Sequence, residues 1–456
     1  MKSTPRWAAA LAGLGLALRL ACLPAWGTFD VEVQKAWAAR AAEDGLADIY
    51  GPSDGELLRK ARERGGSLIP SLLALEVPRT EFRWGTASYF VDYPPGSLIV
   101  LWAAGKLYGR VSPGLENRRG FNAAINLAPL IGSVAVAWLL LRSAGGELGW
   151  RRSLAFWLNP AMLLAAPLLG YQDTLFGTLA LLAVLALIRG SPVSATVLVV
   201  VAGLIKPQGA LLLPALVVVL AKEGAARTWA RAALSGFAAA AAVLLPWWVS
   251  GQLLSALDGC RRPLLQGTLA PLGLNVWWVA GWLMDVLKQG GLPLARIVAT
   301  SEFQAWAGFD PRGPARLGLA AATLAIAWLL ARGLRADRRL IPLSVILQVH
   351  AYALLGTSVH ENHTLLAVML TPLLLGEWEK ARPLLALTSA FAFLSLFFAA
   401  GFGRRITRQA DIAALKGLTG IDATVLVAIA HATLVILLFV WAARMRPPRP
   451  EPERDA

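Results

Sequence analysis

The residues best suited to chemistry are acids and amides that follow a hydrophobic segment at once. Asp30, Glu32 and Gln34 come directly after the apolar run from Trp7 to Leu23, so they belong at a membrane surface. A carboxylate held there can take a proton from an incoming hydroxyl. The connection they open closes with a second polar cluster, Asp92-Tyr93-Pro94-Pro95, just before the chain turns hydrophobic again. A long connection between spanning segments is uncommon unless it carries a site. Further on, Gln172-Asp173 and Lys206-Pro207-Gln208 sit at tips between short apolar runs, Arg261-Arg262 opens a loop, and His360-Glu361-Asn362-His363 interrupts another hydrophobic stretch. A lysine and an aspartate sunk at such tips are costly unless they line a wet cavity or hold a partner.

The elements that must position these groups are membrane helices. Of 456 residues, 57% are hydrophobic and 16% charged, and the mean hydropathy is +0.57. No soluble domain buries that much apolar side chain, so the chain reads as an all-α polytopic membrane protein. Its net charge of +15 would suggest nucleic acid in a soluble protein. Here most cations lie in short loops, where they set orientation and meet anionic lipid, so no nucleic-acid partner is expected. Trp7 to Leu23 lacks a small-residue cleavage site and reads as a retained helix.

Apolar runs bounded by charge predict about twelve spans, near 7–23, 121–141, 153–169, 174–188, 192–205, 208–221, 230–249, 315–331, 340–357, 363–378, 383–401 and 423–443. With a cytoplasmic N-terminus, Arg142, Arg151, Arg152, Arg189, Lys222, Arg332, Arg335, Arg338 and Arg339 all fall inside, as orientation by positive charge requires. Arg404, Arg405, Arg408 and Lys416 fall outside and disagree. Residues 1–443 then form one transmembrane domain, with a large first extracytoplasmic loop at 25–120 and a second at 250–314; residues 444–456 form a disordered proline-rich tail. Ser97 to Tyr108 is too short to cross, and Leu272 to Leu287, rich in tryptophan, would put the Arg332 to Arg339 cluster on the wrong side. Both read as interfacial helices. In the first loop, Ser53 and Glu56 form a capping box for a helix that Gly65-Gly66 ends. Cys22 and Cys260 read as unpaired.

Several of these residues have plainer readings. Asp30 and Glu32 suit any helix start, Asp92 is placed to cap the helix after Pro95, and Lys206 has the length to snorkel. Arg261 and Arg262 read as solvated. His360-Glu361-Asn362-His363 lacks the spacing of a zinc-protease box, and no metal or other cofactor is expected. His350 and His431 fall inside spans, where they bond neighbouring helices.

On the predicted topology, the unusual polar residues share one side of the membrane. Sugar transfer from a lipid phosphate needs a base at the acceptor hydroxyl, donors around the departing phosphate and a groove open to lipid, and all three are present in kind. With these pieces in order across most of the chain, the sequence resembles the GT-C superfamily. Within it, the resemblance is to the glucosyltransferases of asparagine-linked glycosylation that use dolichyl-phosphate glucose. The matching pieces are Asp30-x-Glu32-x-Gln34, Asp92-Tyr93-Pro94-Pro95, Lys206-x-Gln208, the loop from Arg261, and Val359-His360-Glu361. The resemblance implies a GT-C fold and an inverting hexosyltransferase, with Asp30 as general base aided by Glu32. It also implies His360 and Lys206 near the lipid phosphate, and Gln34, Asp92, Tyr93, Gln172, Asp173, Gln208, Arg261, Arg262, Glu361 and His363 about the substrates. Gly170-Tyr171-Gln172-Asp173 replaces the family's histidine-rich tip, and Asn362 replaces its usual lysine. The changed tip resembles bacterial members and, with the bias to Ala, Leu and Arg and the compact loops, points to a bacterial plasma membrane, where the predicted topology puts the active site on the extracytoplasmic side. The partners implied are a polyprenyl-phosphate sugar donor, a glycan or glycolipid acceptor, and membrane lipid. Competing classes are a lipid or glycolipid transporter or flippase, against which the halves lack matched interrupted helices, and a non-catalytic assembly subunit.

Overall fold

Long runs of Leu, Ala and Val can satisfy their backbone groups in lipid only as helices, and helices make up most of the described residues. The structure, a computed structural model, describes residues 6–63, 67, 77, 81–262, 267–335, 337–379, 381–400 and 416–444. Among the described residues the α-helices are α1 (Arg6–Cys22), α2 (Phe29–Asp44), α3 (Asp54–Glu63), α4 (Pro95–Gly109), α5 (Arg119–Arg142), α6 (Gly146–Trp157), α7 (Pro160–Leu163), α8 (Asp173–Ile188) and α9 (Pro192–Ile205). There follow α10 (Leu213–Glu223), α11 (Ala226–Val249), α12 (Leu253–Arg261), α13 (Val276–Gln289), α14 (Thr300–Ala307), α15 (Arg312–Gly333), α16 (Leu340–Leu355), α17 (Leu365–Leu370), α18 (Ala381–Ala400) and α19 (Ala423–Arg444). The one hairpin among the described residues, β1 (Phe82–Trp84) and β2 (Ala87–Tyr89), pairs antiparallel with Phe82 opposite Tyr89. Among the described residues, five helices, α5, α11, α15, α18 and α19, are long and apolar enough to cross a membrane. The chain is an all-α membrane protein.

The core lies where helices carry no polar face. In α16 every turn is buried, which puts it at the centre of the bundle, packed on α15, α17 and α19. Helix α8 packs between α5 and α9; the close pass at α5 needs Gly132, where a Cβ would lie 2.8 Å from the Thr174 backbone. A second layer covers one end of the bundle: α2, α4 and the hairpin share a core of Val31, Trp37, Tyr50, Phe82 and Phe121.

Several runs are shaped differently from the sequence expectation. Residues 153–169 are not one helix: α6 starts at Gly146, and Pro160, which has no N–H to donate, forces a restart. Asn159 caps the restart by accepting from Ala161 N–H at 3.0 Å. A π-turn over Leu164–Leu168 follows. The 363–378 run begins as helix only at Leu365 and tightens to a 3₁₀ turn at Thr371–Leu374. Ser53 accepts from Glu56 N–H at 3.4 Å, but Glu56 pairs with Lys60 at 2.6 Å, so only half the capping box forms. Helix α13 has 14 residues, about 21 Å, too short to cross. Its tryptophans face inward: Trp277 Nε1 donates to Leu355 O at 2.7 Å and Trp278 Nε1 to Thr424 Oγ1 at 2.9 Å. Cys22 and Cys260 are both free thiols. Gly65-Gly66, Arg404, Arg405, Arg408 and the tail after Arg444 lie outside the described residues.

Candidate functional site

Helix α2 is fastened at its start. Thr28 N–H donates to Leu169 O at 3.1 Å, and the chain can approach so closely because Gly27 and Gly170 both take positive φ. A Cβ on either would stand 2.4 or 2.2 Å from Val31 Cγ2. From that anchor Asp30, Val33, Gln34 and Trp37, spaced i, i+3, i+4 and i+7, share one helix face. This face lines a cavity of about 280 Å³. Glu32 points elsewhere, two residues being about 200° around a helix. Its carboxylate accepts from Lys35 Nζ at 2.8 Å and from Asn117 Nδ2 at 3.0 Å, and it does not line the cavity.

The facing wall comes from the segment after α16. Ser358 holds φ +58°, a strained value for a residue with a side chain, fixed by its N–H on Leu269 O at 3.1 Å and its hydroxyl on Thr268 O at 3.0 Å. This turn sends His360, Glu361, Asn362 and His363 into the cavity. The His363 ring stacks on Tyr352 at 5.6 Å, and its Nε2 meets Gln208 Nε2 at 2.7 Å. Glu361 accepts a short hydrogen bond from the Tyr171 hydroxyl.

Behind these walls lies a buried polar layer. Asp173 accepts from Lys206 Nζ at 2.8 Å and from Asn362 Nδ2 at 3.2 Å, while Gln172 Nε2 donates to Gln34 Oε1 at 2.9 Å. Gln172 and Asp173 therefore hold cavity residues and do not line the cavity themselves. The third wall is Ser88 to Phe90, Asp92 and Tyr93. Trp37 Nε1 donates to Phe90 O at 3.0 Å, and its ring lies 5.5 Å from that of Tyr93. Asp92 does not cap the next helix: the N-cap is Pro94, and Asp92 faces the cavity. Arg262 is not solvated as expected. It is buried because Asp258 neutralises it at 2.5 Å and Val91 O accepts from it at 2.7 Å, so it clamps the segment leading to Asp92. Arg261 is partly exposed beside Asp258 at 2.8 Å, and neither guanidinium lines the cavity.

Of the residues singled out from sequence, Asp30, Gln34, Asp92, Tyr93, Lys206, Gln208, His360, Glu361 and His363 thus converge. Asn362, read from sequence only as standing where the family has a lysine, lines the cavity too, and so do Trp37, Tyr89, Phe90 and Tyr352, which escaped sequence reasoning. Only Trp37 carried a signal, seven residues beyond Asp30.

Electrostatically, Asp30 stands apart. Its side chain is accessible because it faces the cavity, but protein encloses that cavity closely. This enclosure, with Glu361 nearby, pushes the Asp30 carboxyl up to about 6, with His360 and Lys206 partly offsetting and Asp173 adding to the rise. Burial lowers the His360 imidazole, opposed by Asp30 and reinforced by Lys206. A carboxylate so tuned is ionised at neutral pH and a stronger proton acceptor than a solvated one. No protein-family model matches the chain, and no curated protein matches it.

Proposed function

We propose that the chain is an inverting GT-C glycosyltransferase that moves a hexose from a polyprenyl-phosphate donor to a lipid-linked or extracytoplasmic acceptor, at the outer face of a bacterial plasma membrane. The observation that carries this reading is the raised carboxylate of Asp30, facing a small aromatic-lined cavity at one end of a membrane bundle. At about 280 Å³ the cavity sits just below the roughly 300–1,000 Å³ usual for ligand sites, and its aromatic walls among many hydrogen-bonding side chains suit one sugar ring. In the proposed step Asp30 takes the proton of the acceptor hydroxyl as that oxygen bonds the anomeric carbon. The bond from that carbon to the phosphate oxygen breaks, and polyprenyl phosphate leaves with the electron pair. One face attacks while the opposite bond opens, so configuration inverts. His360 N–H and the Lys206 ammonium supply positive field for the leaving phosphate, and Glu361 and Asp92 are acceptors for sugar hydroxyls.

The twelve-span GT-C topology belongs to the same proposal. In a background with Cys22 and Cys260 replaced, cysteines at Ser53 and Ser301 should label from outside the cell and one at Ser191 only after permeabilisation. Opposite labelling of Ser53 and Ser301 would separate the two loops that the cavity needs on one side.

The reading is tested by incubating the purified protein with labelled polyprenyl-phosphate hexoses and lipid or glycan acceptors and following release of polyprenyl phosphate. Because the base must be ionised and its carboxyl is raised to about 6, kcat/KM should fall on the acid side with a midpoint near pH 6. A midpoint near the ordinary 3.8 of aspartate would show that the base is a solvated carboxylate elsewhere.

A further inference from the structure

A larger cavity, about 340 Å³, lies at the other end of the bundle. Helix α16 links the two: its residues Leu340 to Leu347 line this cavity and Tyr352, five residues or about 7.5 Å further along, lines the first, and the two cavities share no lining residue. Its walls are Ile326, Leu330, Leu343, Leu347, Trp378 and Ala442, from α15, α16, α19 and the segment before α18. Exposed apolar side chains flank it, Leu324 and Trp328 on α15 and Leu437 and Val440 on α19, as on a surface that meets acyl chains. Arg332 and Arg339 stand in the same lining. Of the two carboxylates nearby, Asp337 is engaged by Arg339 itself at 2.7 Å, and Glu377 by Arg152 at 2.7 Å, with Arg339 also 3.7 Å from it. Arg332 donates to the Ala443 carbonyl at 3.1 Å and lies over the Trp328 ring at 4.7 Å; it has no carboxylate partner among the described residues, and neither does Arg335.

An apolar slot that opens beside bilayer-facing side chains, with cations in excess of carboxylates at its mouth, has the chemistry of an anionic phospholipid site. We propose that this slot holds one anionic phospholipid, an acyl chain between α15, α16 and α19 and its phosphate on Arg332 and Arg339. The lipid would brace the α15–α16 turn far from the polar cavity, and the proposal does not depend on what that cavity does.

The test uses the full chain in nanodiscs of equal phosphatidylglycerol and phosphatidylcholine, with retained lipid counted by native mass spectrometry. Wild type should keep one phosphatidylglycerol with roughly fivefold preference, as about one unpaired basic residue near a surface provides, weakening at high salt. Arg332→Gln, which breaks no ion pair, should remove the preference. Ala442→Phe, which fills the slot and leaves the charges, should remove the bound lipid. Equal retention of both lipids by wild type overturns the proposal. So does retention unchanged by both variants, or displacement by glycerol 3-phosphate, which lacks an acyl chain.

Discussion

Asp30→Asn should abolish turnover while the protein still folds and still binds the lipid donor. Asparagine keeps the size of the side chain and one acceptor oxygen but cannot take a proton at neutral pH, so the loss is the whole contribution of a placed base, about 10² to 10⁴ in kcat. The fold should be spared because the carboxylate is not a strut. It faces the cavity, and α2 is held instead by Thr28 on Leu169 and by the packing of Val31 against Gly27 and Gly170. Removing a raised acid should, if anything, relieve the folded state of a charge that burial and Glu361 disfavour. Glu32→Gln should reduce kcat far less and act mainly on stability, since Glu32 is tied to Lys35 and Asn117 outside the cavity. The check is single-turnover release of polyprenyl phosphate with donor affinity measured separately. Near wild-type turnover by Asp30→Asn alongside a dead Glu32→Gln would exchange the two roles; two active variants would sink the transferase reading and favour a transporter or an assembly subunit.

That contrast marks where sequence reasoning reached its limit. The membrane class and most hydrophobic segments were legible because lipid enforces long apolar runs. The hairpin tips were legible because a charge at depth needs a reason. Asp30 and Glu32, however, look alike as acids in one first turn; only the helical angle between them separates a cavity group from an ion-pair member. The alanine-rich α2 has little amphipathic signal, so that angle could not be read with assurance before the helix was seen. Arg262 was misjudged for a related reason: Asp258, four residues back on the same helix, buries and neutralises it, and an arginine pair at a loop start otherwise reads as solvated. The break at Asn159-Pro160 was visible in the letters. Its result, a π-turn that delivers Tyr171 to Glu361, depends on α18, whose Ser389 Oγ accepts from Asn159 Nδ2 at 2.7 Å.

Lys206→Met should chiefly destabilise the protein, because the lysine already has an anionic partner inside the chain. Its ammonium lies 2.8 Å from Asp173 with both side chains almost fully buried, and taking away one member of such a pair strands the other. The expected cost is about 3–5 kcal/mol, far above the roughly 0–1 kcal/mol of a surface pair. Asn362 Nδ2 remains on Asp173 at 3.2 Å, but one amide hydrogen bond cannot replace a cation. The double variant Lys206→Met with Asp173→Asn removes both charges together and should recover most of the loss, as replacement of a whole buried pair often does. Thermal unfolding of the four proteins in one detergent gives the coupling, and additivity within about 0.5 kcal/mol would mean that the pair is not a structural unit. The double variant also isolates the second role assigned to this lysine. If it folds but its KM for the lipid donor rises while kcat with saturating donor is preserved, the ammonium acts on the phosphate across the cavity as well as on Asp173. If its KM matches wild type, Lys206 serves only to hold Asp173, and through it Asn362, at the cavity wall, and the donor phosphate must be met by His360 and its neighbours.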